Sequence, residues 1–462
     1  MSHRLYIRTV GCQMNVLDSE LLTGELLRAG YELVPSAKQA DTVLLNTCSV
    51  RQHAEDKIYS ELGRLRILKQ SRPAMVIGVL GCMAQKDQQE VFRRAPHVDM
   101  VVGPGQLNQL RMLLEQAHAG NGGQRLEVSL ERGRESRSSV EQSFAPYSPE
   151  RKNTSRPTPH QAMVRIMFGC DEFCSYCIVP RVRGPEQSRP AAEIIDEVRS
   201  LADDGCLEVT LLGQTVNSYR DETNGAAIEL ADLLYKLHEI DGLRRLKFLT
   251  NHPRYMSNRL LQAVRDLPRV TPYLHVPAQS GSNAMLERMK RRYTCEEYRE
   301  MLERIRAMIP NAAITSDFIV GFCGETDEDF RQTAELVRDA RFKNSFIFKY
   351  SSRPGTKAAE QYEDDVPDDV KRARNNELLA IQNAISLEDN QPYLNQTVEI
   401  LVEGPSKVGR KNIGEGSDVQ LVGRTVCDRI VVFQGPKELT GQLLPVTIEK
   451  IDAFTLFGRL TR

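Results

Sequence analysis

Three cysteines stand close together near the middle of the chain, at a spacing that suits an iron–sulfur cluster. They are Cys170, Cys174 and Cys177, in the pattern C-x₃-C-x₂-C. Three thiolates this close can bind three irons of a [4Fe–4S] cluster and leave the fourth iron open to another ligand. A tetrahedral zinc site needs a fourth Cys or His, and none follows Cys177 closely. The pattern therefore favours a cluster with one open iron over zinc, and over unconnected cysteines in a loop.

A second set of three cysteines lies in the N-terminal part of the chain. Cys12, Cys48 and Cys82 each follow a run of residues that predicts a β-strand. The carboxyl ends of parallel strands meet at one edge of a sheet, so these cysteines are expected to gather there. Three gathered thiolates would again suit a cluster with one open iron. The alternative is a structural role, because free cysteines are among the most buried residues.

The segments that must position these N-terminal cysteines alternate between strands and helices. Strand-like runs occur at residues 4–10, 41–47, 74–80 and 100–102, and a helical pattern follows each of them. This alternation is typical of α/β proteins with a doubly wound parallel sheet. We expect the sheet to form a domain over residues 1–120.

Three further segments are expected downstream of that domain. Residues 121–158 show little apolar periodicity and predict a linker. Residues 159–388 contain six predicted βα units, which would form an open, partial (β/α)₆ barrel with its ligands at the carboxyl ends of the strands. Residues 389–462 contain five short strand-like runs, which predict a small OB-like β-barrel, a fold that often binds nucleic acid.

Composition limits the partners and the location of the protein. The chain has 61 Lys and Arg residues against 62 Asp and Glu residues, so a nucleic acid would have to bind a local basic face. No apolar run is long enough to span a membrane, and the first residues leave no room for a signal peptide. Ten cysteines fit metal chemistry in a reducing compartment. We therefore expect a cytoplasmic protein without membrane contact.

The motif around Cys170, with Tyr176 between the last two cysteines, resembles the signature of radical S-adenosylmethionine (SAM) enzymes. The segment from Cys170 to Pro190 is similar to the methylthiotransferases of that superfamily. The sequence motifs GCQMN, NTCSVR and GCMAQ around Cys12, Cys48 and Cys82 are similar to them as well. This resemblance implies two [4Fe–4S] clusters. Cys170, Cys174 and Cys177 would hold the cluster that binds SAM, and Cys12, Cys48 and Cys82 would hold an auxiliary cluster.

The C-terminal runs at residues 422–425 and 451–458 look like a TRAM domain, which is an RNA-binding module. The sequence motifs at residues 12–15, 279–282 and 349–353 resemble those of the MiaB-type tRNA methylthiotransferases. That resemblance implies a transferase that acts on the anticodon stem-loop of tRNA. It would add a methylthio group to C2 of N6-isopentenyladenosine at position 37. One SAM would methylate a sulfur on the auxiliary cluster, and a second SAM would yield a 5′-deoxyadenosyl radical.

Loops at the mouth of the predicted barrel supply further site residues. By the same resemblance, the residues expected to contact SAM are Tyr176, Gly213, Gln214, Gln279, Ser280 and Asp317. The residues expected to contact RNA are Lys290, Arg291, Arg292 and Arg424. Turn formation, loop packing and solvated helix ends are the alternative roles for these positions.

Other functions and partners stay open at this point. A related enzyme type acts on threonylcarbamoyladenosine in tRNA, and another modifies an aspartate of a ribosomal protein. From a different class, the protein would be an RNA-binding scaffold with a structural metal. The enzyme interpretation also requires an electron donor such as flavodoxin or ferredoxin, and a sulfur source. We expect a monomer.

Overall fold

The N-terminal part of the protein is a parallel sheet of six strands in the order β2-β1-β3-β4-β5-β6. The computed structural model describes residues 3–49, 52–120, 123–128, 156, 158–223, 225–411 and 418–461. The strands are β1 Arg4–Val10, β2 Glu32–Leu33, β3 Thr42–Thr47, β4 Val76–Gly81, β5 Met100–Val102 and β6 Arg125–Glu127. The helices are α1 Gln13–Arg28, α2 Gln52–Ser71, α3 Cys82–Asp87, α4 Gln89–Arg94 and α5 Leu110–His118.

Helices cover both faces of this sheet. Leu22 of α1 and Leu114 of α5 pack with Leu44 on one face. Ile58 of α2 and Phe92 of α4 belong to the apolar cluster on the other face. Because both faces are buried, the central strands β3 and β4 consist of fully buried residues. The predicted doubly wound sheet is confirmed.

Strand β6 lies inside the stretch that was interpreted as a linker. It pairs with β5 in parallel, with Val101 opposite Leu126, so the sheet continues beyond residue 120. The sequence signal was weak because the strand has only three residues, one of them apolar. Residues 129–155 and 157 of the same stretch lie outside the described residues.

The central part of the chain is a barrel of six parallel strands, built as two three-stranded sheets, β13-β10-β7 and β14-β15-β16. Its strands are β7 Gln161–Arg165, β10 Glu208–Leu212, β13 Arg245–Phe248, β14 Tyr273–His275, β15 Ala313–Val320 and β16 Asn344–Lys349. The two sheets adjoin where the backbone N–H of Asn251 donates to the carbonyl of His275 over 3.1 Å. Two short antiparallel pairs flank them: β8 Met167–Phe168 with β9 Gln187–Ser188, and β11 Arg220–Asp221 with β12 Ile228–Glu229.

Nine further helices lie in the described central part of the chain, and the longer ones cover the apolar outer face of the barrel. They are α6 Val179–Val182, α7 Ala191–Asp203, α8 Leu230–His238, α9 Asn258–Asp266, α10 Asn283–Arg288, α11 Cys295–Met308, α12 Asp327–Ala340, α13 Lys357–Gln361 and α14 Asp368–Asn390. Short 3₁₀ helices lie at Pro104–Gln109, Val216–Ser218, Pro253–Tyr255, Gln391–Tyr393, Gly409–Lys411 and Lys437–Leu439. Within the described residues, no helix is long and apolar enough to cross a membrane.

The C-terminal part is a closed barrel of five strands in the order β17-β18-β19-β21-β20. The strands are β17 Thr397–Pro405, β18 Val419–Thr425, β19 Ile430–Gly435, β20 Leu443–Ile451 and β21 Thr455–Leu460. The β18–β19 turn docks on the central barrel, where Asp428 Oδ1 accepts from Nζ of Lys247 at 3.0 Å. Arg245, the first residue of β13, donates to the carbonyl of Arg424, and Lys343, which directly precedes β16, donates to the carbonyl of Asp428. The contact is therefore at the amino ends of the barrel strands, away from their carboxyl ends.

Candidate active site

The N-terminal cysteines meet at the carboxyl edge of the sheet. Cys12 and Cys48 follow β1 and β3, and Cys82 is the first residue of α3, directly after β4. A hydrogen bond with Cys48 lowers the pKa of the Cys12 thiol to about 6. Burial raises the pKa of Cys82, and the charge of Cys12 raises it further. The three thiols therefore lie close enough to influence one another, as a shared cluster requires.

Two glycines and two amides hold the loops that carry these cysteines. A Cβ placed on Gly11 would lie 2.4 Å from Cβ of Cys48, and one on Gly81 would lie 2.3 Å from Oδ1 of Asn46. The Cys12 thiol donates to Oδ1 of Asn15 over 3.1 Å, and Nδ2 of Asn15 donates to Oδ1 of Asn46 over 3.0 Å. Glycine is therefore required where the three loops approach each other most closely.

The second set of cysteines lies in the loop that follows β8 at the mouth of the central barrel. The backbone N–H of Cys177 donates to the carbonyl of Cys174 over 3.0 Å, which curls the loop around the three thiols. Burial raises the pKa of Cys170 to about 11 and raises the pKa of Cys177 as well. Gly169 is essential to the start of the loop, because a Cβ there would lie 1.8 Å from the carbonyl oxygen of Pro185.

A buried arginine contacts this second set. Nη1 of Arg291 donates to Sγ of Cys174 over 3.2 Å, and its Nε donates to the hydroxyl of Tyr293 over 3.1 Å. Only 6% of Arg291 is exposed. This burial does not favour the expected contact between Arg291 and RNA, which stays a prediction. The run of three cations from Lys290 to Arg292 does not reveal which member turns inward, because that depends on the position of Cys174.

The two cysteine sets adjoin each other. Cys82 packs against Ile178, which directly follows Cys177, and against Val182 in the short helix α6. In the part of the chain that is described, no group of three Cys, His, Asp or Glu side chains is gathered in the way that a single metal ion requires. The assignment of two three-cysteine clusters stays a prediction. The surroundings fit it, because a buried arginine adjoins each set and would balance thiolate charge.

The residues expected to contact SAM divide into two groups. Ser280 is turned away from the mouth, because its hydroxyl lies 3.2 Å from Oγ1 of Thr333 on α12 and accepts from the backbone of Ser282. Gly213 is buried, and a Cβ there would lie 2.2 Å from Cγ of Met167. Gln279 has a φ of 72°, and its backbone N–H donates to the carbonyl of Asp317 over 2.8 Å. The structure gives these three a local packing or backbone role.

The other three expected SAM contacts have side chains that are partly exposed. Tyr176, Gln214 and Asp317 are half-buried. Oδ1 of Asp317 is buried without a hydrogen-bond partner, while its Oδ2 lies 3.6 Å from Nε2 of His275. The ring of Tyr176 meets Phe322 edge to face, with the centroids 6.5 Å apart. A carboxylate oxygen without a partner is suited to accept from a ligand.

The remaining residues expected to contact RNA lie in two places. Lys290 is half-buried and Arg292 is exposed, and both precede α11. Arg424 instead lies at the contact between the two barrels, where its guanidinium pairs with Glu403 at 2.9 Å and Asp428 at 2.8 Å. This pairing leaves Arg424 poorly suited to neutralise a phosphate, so its expected RNA contact is not supported by the geometry.

Comparisons with known proteins support one family throughout the chain. The radical SAM superfamily model matches residues 164–337, the TRAM domain model matches residues 391–461, and a model described as Uncharacterized protein family UPF0004 matches residues 4–103. A tRNA-2-methylthio-N(6)-dimethylallyladenosine synthase from Rhodopirellula baltica is 56% identical, over 100% of this chain and 96% of the relative. The chain belongs to this synthase family. The methylthiotransferase family predicted from the motifs is therefore confirmed.

Other members of the synthase family and one solved structure agree. The synthase from Syntrophotalea carbinolica is 41% identical, over 96% of each chain. The radical SAM methyltransferase TsrM from Kitasatospora setae, solved with cobalamin and a [4Fe–4S] cluster, has a TM-score of 0.55 and 15% identity. The match covers 78% of this chain and 77% of TsrM. At that identity the likeness shows the fold alone.

Proposed function

We propose that this protein is a radical SAM transferase that adds a methylthio group to C2 of N6-isopentenyladenosine at position 37 of tRNA. The full-length likeness to synthases with that substrate supports the proposal. The observation that carries it is the packing of Cys82 against Ile178 and Val182, beside Cys177. A contact between Cys82 and the segment after Cys177 supports radical formation and sulfur transfer on one substrate, because the two groups would then lie near each other.

Radical chemistry is needed because the C2–H bond of adenine is neither acidic nor electrophilically activated. When bound, a SAM-ligated [4Fe–4S] cluster would supply the 5′-deoxyadenosyl radical and an auxiliary [4Fe–4S] cluster would supply the sulfur. The chain itself would hold these groups through Cys170, Cys174 and Cys177, and through Cys12, Cys48 and Cys82. Gln214, Asp317 and Tyr176 would orient SAM from the mouth of the barrel.

The proposal also assigns a function to each part of the chain. Residues 1–120, together with β6, would carry the auxiliary cluster, and residues 159–388 would carry the radical SAM core. Residues 389–462 would bind the anticodon stem-loop, with Lys290 and Arg292 as further cations near the mouth. A single-stranded loop suits the reaction, because the base must leave its stack. We further propose a cytoplasmic monomer that takes electrons from flavodoxin or ferredoxin and sulfur from a separate donor.

The iron content of the purified protein tests the two-cluster part of the proposal. After anaerobic reconstitution we expect about eight irons per chain, falling to about four in the Cys170/Cys174/Cys177→Ala triple variant. Acid-labile sulfide should fall in parallel. A wild-type content of about four irons that disappears in the triple variant would make Cys12, Cys48 and Cys82 structural. The sulfur-transfer function would then be wrong.

Nucleoside analysis of tRNA tests the substrate. A host strain that lacks its own methylthiotransferase should regain 2-methylthio-N6-isopentenyladenosine when it expresses this protein. Product derived from threonylcarbamoyladenosine, or a modified ribosomal-protein aspartate, would assign one of the related activities instead. A protein without iron that still binds tRNA would be an RNA-binding scaffold.

A further inference from the structure

A buried ionic group joins the N-terminal sheet domain to the central barrel. Asp18 of α1 is fully buried and accepts from Nη1 of Arg165 over 3.0 Å and from Nη2 of Arg183 over 2.9 Å. Both arginines belong to the radical SAM segment, whereas Asp18 lies six residues after Cys12. The ring of Phe168 lies under both guanidiniums, with its centroid 5.4 Å from Cζ of Arg165 and 5.7 Å from Cζ of Arg183.

The Arg183 end of this ionic group faces the auxiliary cysteines. Two guanidiniums meet one carboxylate, and the exposed fractions of the Arg183 and Asp18 side chains are 2% and 0%. Among the described residues, Nη1 of Arg183 is buried without a hydrogen-bond partner, and the charge of Arg183 lies within electrostatic range of Cys82 and Cys12. A buried charge needs compensation, and the nearby thiolates would supply it.

We propose that Arg183 is a positioning residue that sets the charge at the auxiliary cluster from the radical SAM side of the interface. The ion pair with Asp18 fixes the Arg183 guanidinium at the interface, within electrostatic range of Cys82 and Cys12, so the potential of the auxiliary cluster depends on correct docking of the two domains. This inference rests on the proposed auxiliary cluster. It goes further by assigning control of that cluster to a residue outside the domain that ligates it.

The charges of Arg183 and Asp18 determine the direction in which each variant should shift the reduction potential of the auxiliary cluster. A cation beside a cluster stabilises the reduced form, which is the more negative form, and an anion destabilises it. Removing the charge of Arg183 should therefore make reduction harder, and removing the charge of Asp18 should make it easier. Loss of packing alone would not move the two variants in opposite directions.

A redox titration of the auxiliary cluster alone provides the test. The Cys170/Cys174/Cys177→Ala variant removes the other cluster, and the full-length chain is titrated anaerobically with dithionite while electron paramagnetic resonance records the reduced fraction. Arg183→Gln should lower the equilibrium constant for one-electron reduction about tenfold, which is about 59 mV. Asp18→Asn should raise it, and Arg183→Lys should retain most of the wild-type value. Arg199→Gln, on the exposed face of α7, is the matched control.

Each outcome of this titration either supports or overturns the inference. Opposite shifts in Arg183→Gln and Asp18→Asn support the inference, and equal or unshifted potentials overturn it while the two-cluster function stands. If Arg183→Gln assembles no cluster, a higher potential in Asp18→Asn still supports the inference and an unchanged one overturns it. If the triple-alanine background itself binds no iron, the proposed auxiliary cluster is wrong, and this inference falls with it.

Discussion

Arg291 and Cys174 are joined by a hydrogen bond of 3.2 Å from Nη1 to Sγ, in a site where the arginine is almost completely buried. A cation in this position would offset the negative charge of a thiolate that holds iron. Nη2 of the same guanidinium donates to the carbonyl of Pro277 over 3.2 Å. Arg291 therefore couples the cysteine loop to the carboxyl end of β14.

Replacing Arg291 should impair the SAM-binding cluster, whereas replacing its neighbour should impair RNA binding. For Arg291→Gln we expect a 10- to 100-fold loss of activity, because second-shell partners of metal ligands have effects of about that size. Its iron content should fall towards about four per chain. For Arg292→Gln the iron content should stay normal while the salt dependence of tRNA binding becomes shallower by about one charge. Normal iron and normal activity in Arg291→Gln would contradict the assignment.

Replacing Gly11 should remove the auxiliary cluster selectively. A Cβ at this position would clash with Cβ of Cys48 at 2.4 Å, and its φ of +151° also disfavours other residues. Gly11→Ala should therefore lose about half of the iron and keep the spectrum of the SAM-binding cluster. Gly30→Ala is the control, since Gly30 has a φ of +89° but nothing within 4 Å of its Cβ position. That control should cost only about 1 kcal/mol and keep its iron. Full iron in Gly11→Ala would show that the loop can shift.

Periodicity predicted the elements that have strong local signals. The strand-like runs at residues 4–10 and 41–47 are observed as Arg4–Val10 and Thr42–Thr47, and one helix of the predicted βα units is Asp327–Ala340. That helix begins with a capping box, in which Thr326 and Asp329 bond to each other's backbone N–H groups. Local chemistry of this kind fixes an element wherever it lies in the fold.

Other features depend on contacts that are distant in sequence. Strand β6 exists because β5 offers it a free edge, and Arg291 is buried because Cys174 lies 117 residues away in the chain and next to it in space. The role of Arg183 was missed for the same reason. Its partner Asp18 is 165 residues away, although Arg183 lies in the segment from Cys170 to Pro190 that resembled the family. Family motifs thus located the site, while the pairing of its charges required the fold.

Replacing Asp428 should loosen the C-terminal barrel from the central one. Burial raises the pKa of Asp428, but Lys247 and Arg424 lower it more, so the carboxylate is stabilised in the folded protein. Asp428→Asn leaves Lys247 with one acidic partner fewer and should cost on the order of 3 kcal/mol. Limited proteolysis should then release the C-terminal barrel earlier. Glu449→Gln breaks the exposed pair with Arg459 and should cost less than about 1 kcal/mol. Equal protease resistance in both variants would contradict this docking role.

Glu186 should make the protein less stable as the pH rises towards neutrality. Burial raises its pKa to about 7, although the hydroxyl of Ser218 donates to it over 2.8 Å. In the unfolded chain a glutamate releases its proton near pH ~4.3, so between that pH and about 7 the unfolded state binds fewer protons and stability falls as pH rises. Glu186→Gln should remove this loss, which amounts to roughly 3–4 kcal/mol at most. The measurement is the free energy of unfolding by denaturant at pH values within this window and above it. Glu193→Gln, at an exposed position, is the control. An identical slope in Glu186→Gln would assign the effect to another group.

Replacing Asp317 should weaken SAM binding, whereas replacing Ser280 should lower only the stability of its loop. Oδ1 of Asp317 has no hydrogen-bond partner, so it is available to accept from SAM, whereas the Ser280 hydroxyl is engaged with Thr333 and Ser282. Asp317→Asn should raise KM for SAM about tenfold or more, since a hydrogen bond to a charged group contributes about 1.5–3 kcal/mol. Its iron content should be unchanged.

Ser280→Ala should show the reverse pattern, with a loss of about 1 kcal/mol in stability and an unchanged KM for SAM. The two variants are matched because their loops are hydrogen-bonded to each other, with the N–H of Gln279 donating to the carbonyl of Asp317. A raised KM in Ser280→Ala alone would mean that SAM reaches the serine by displacing Thr333. The mouth of the barrel would then have to open between the Ser280 loop and α12 when SAM binds.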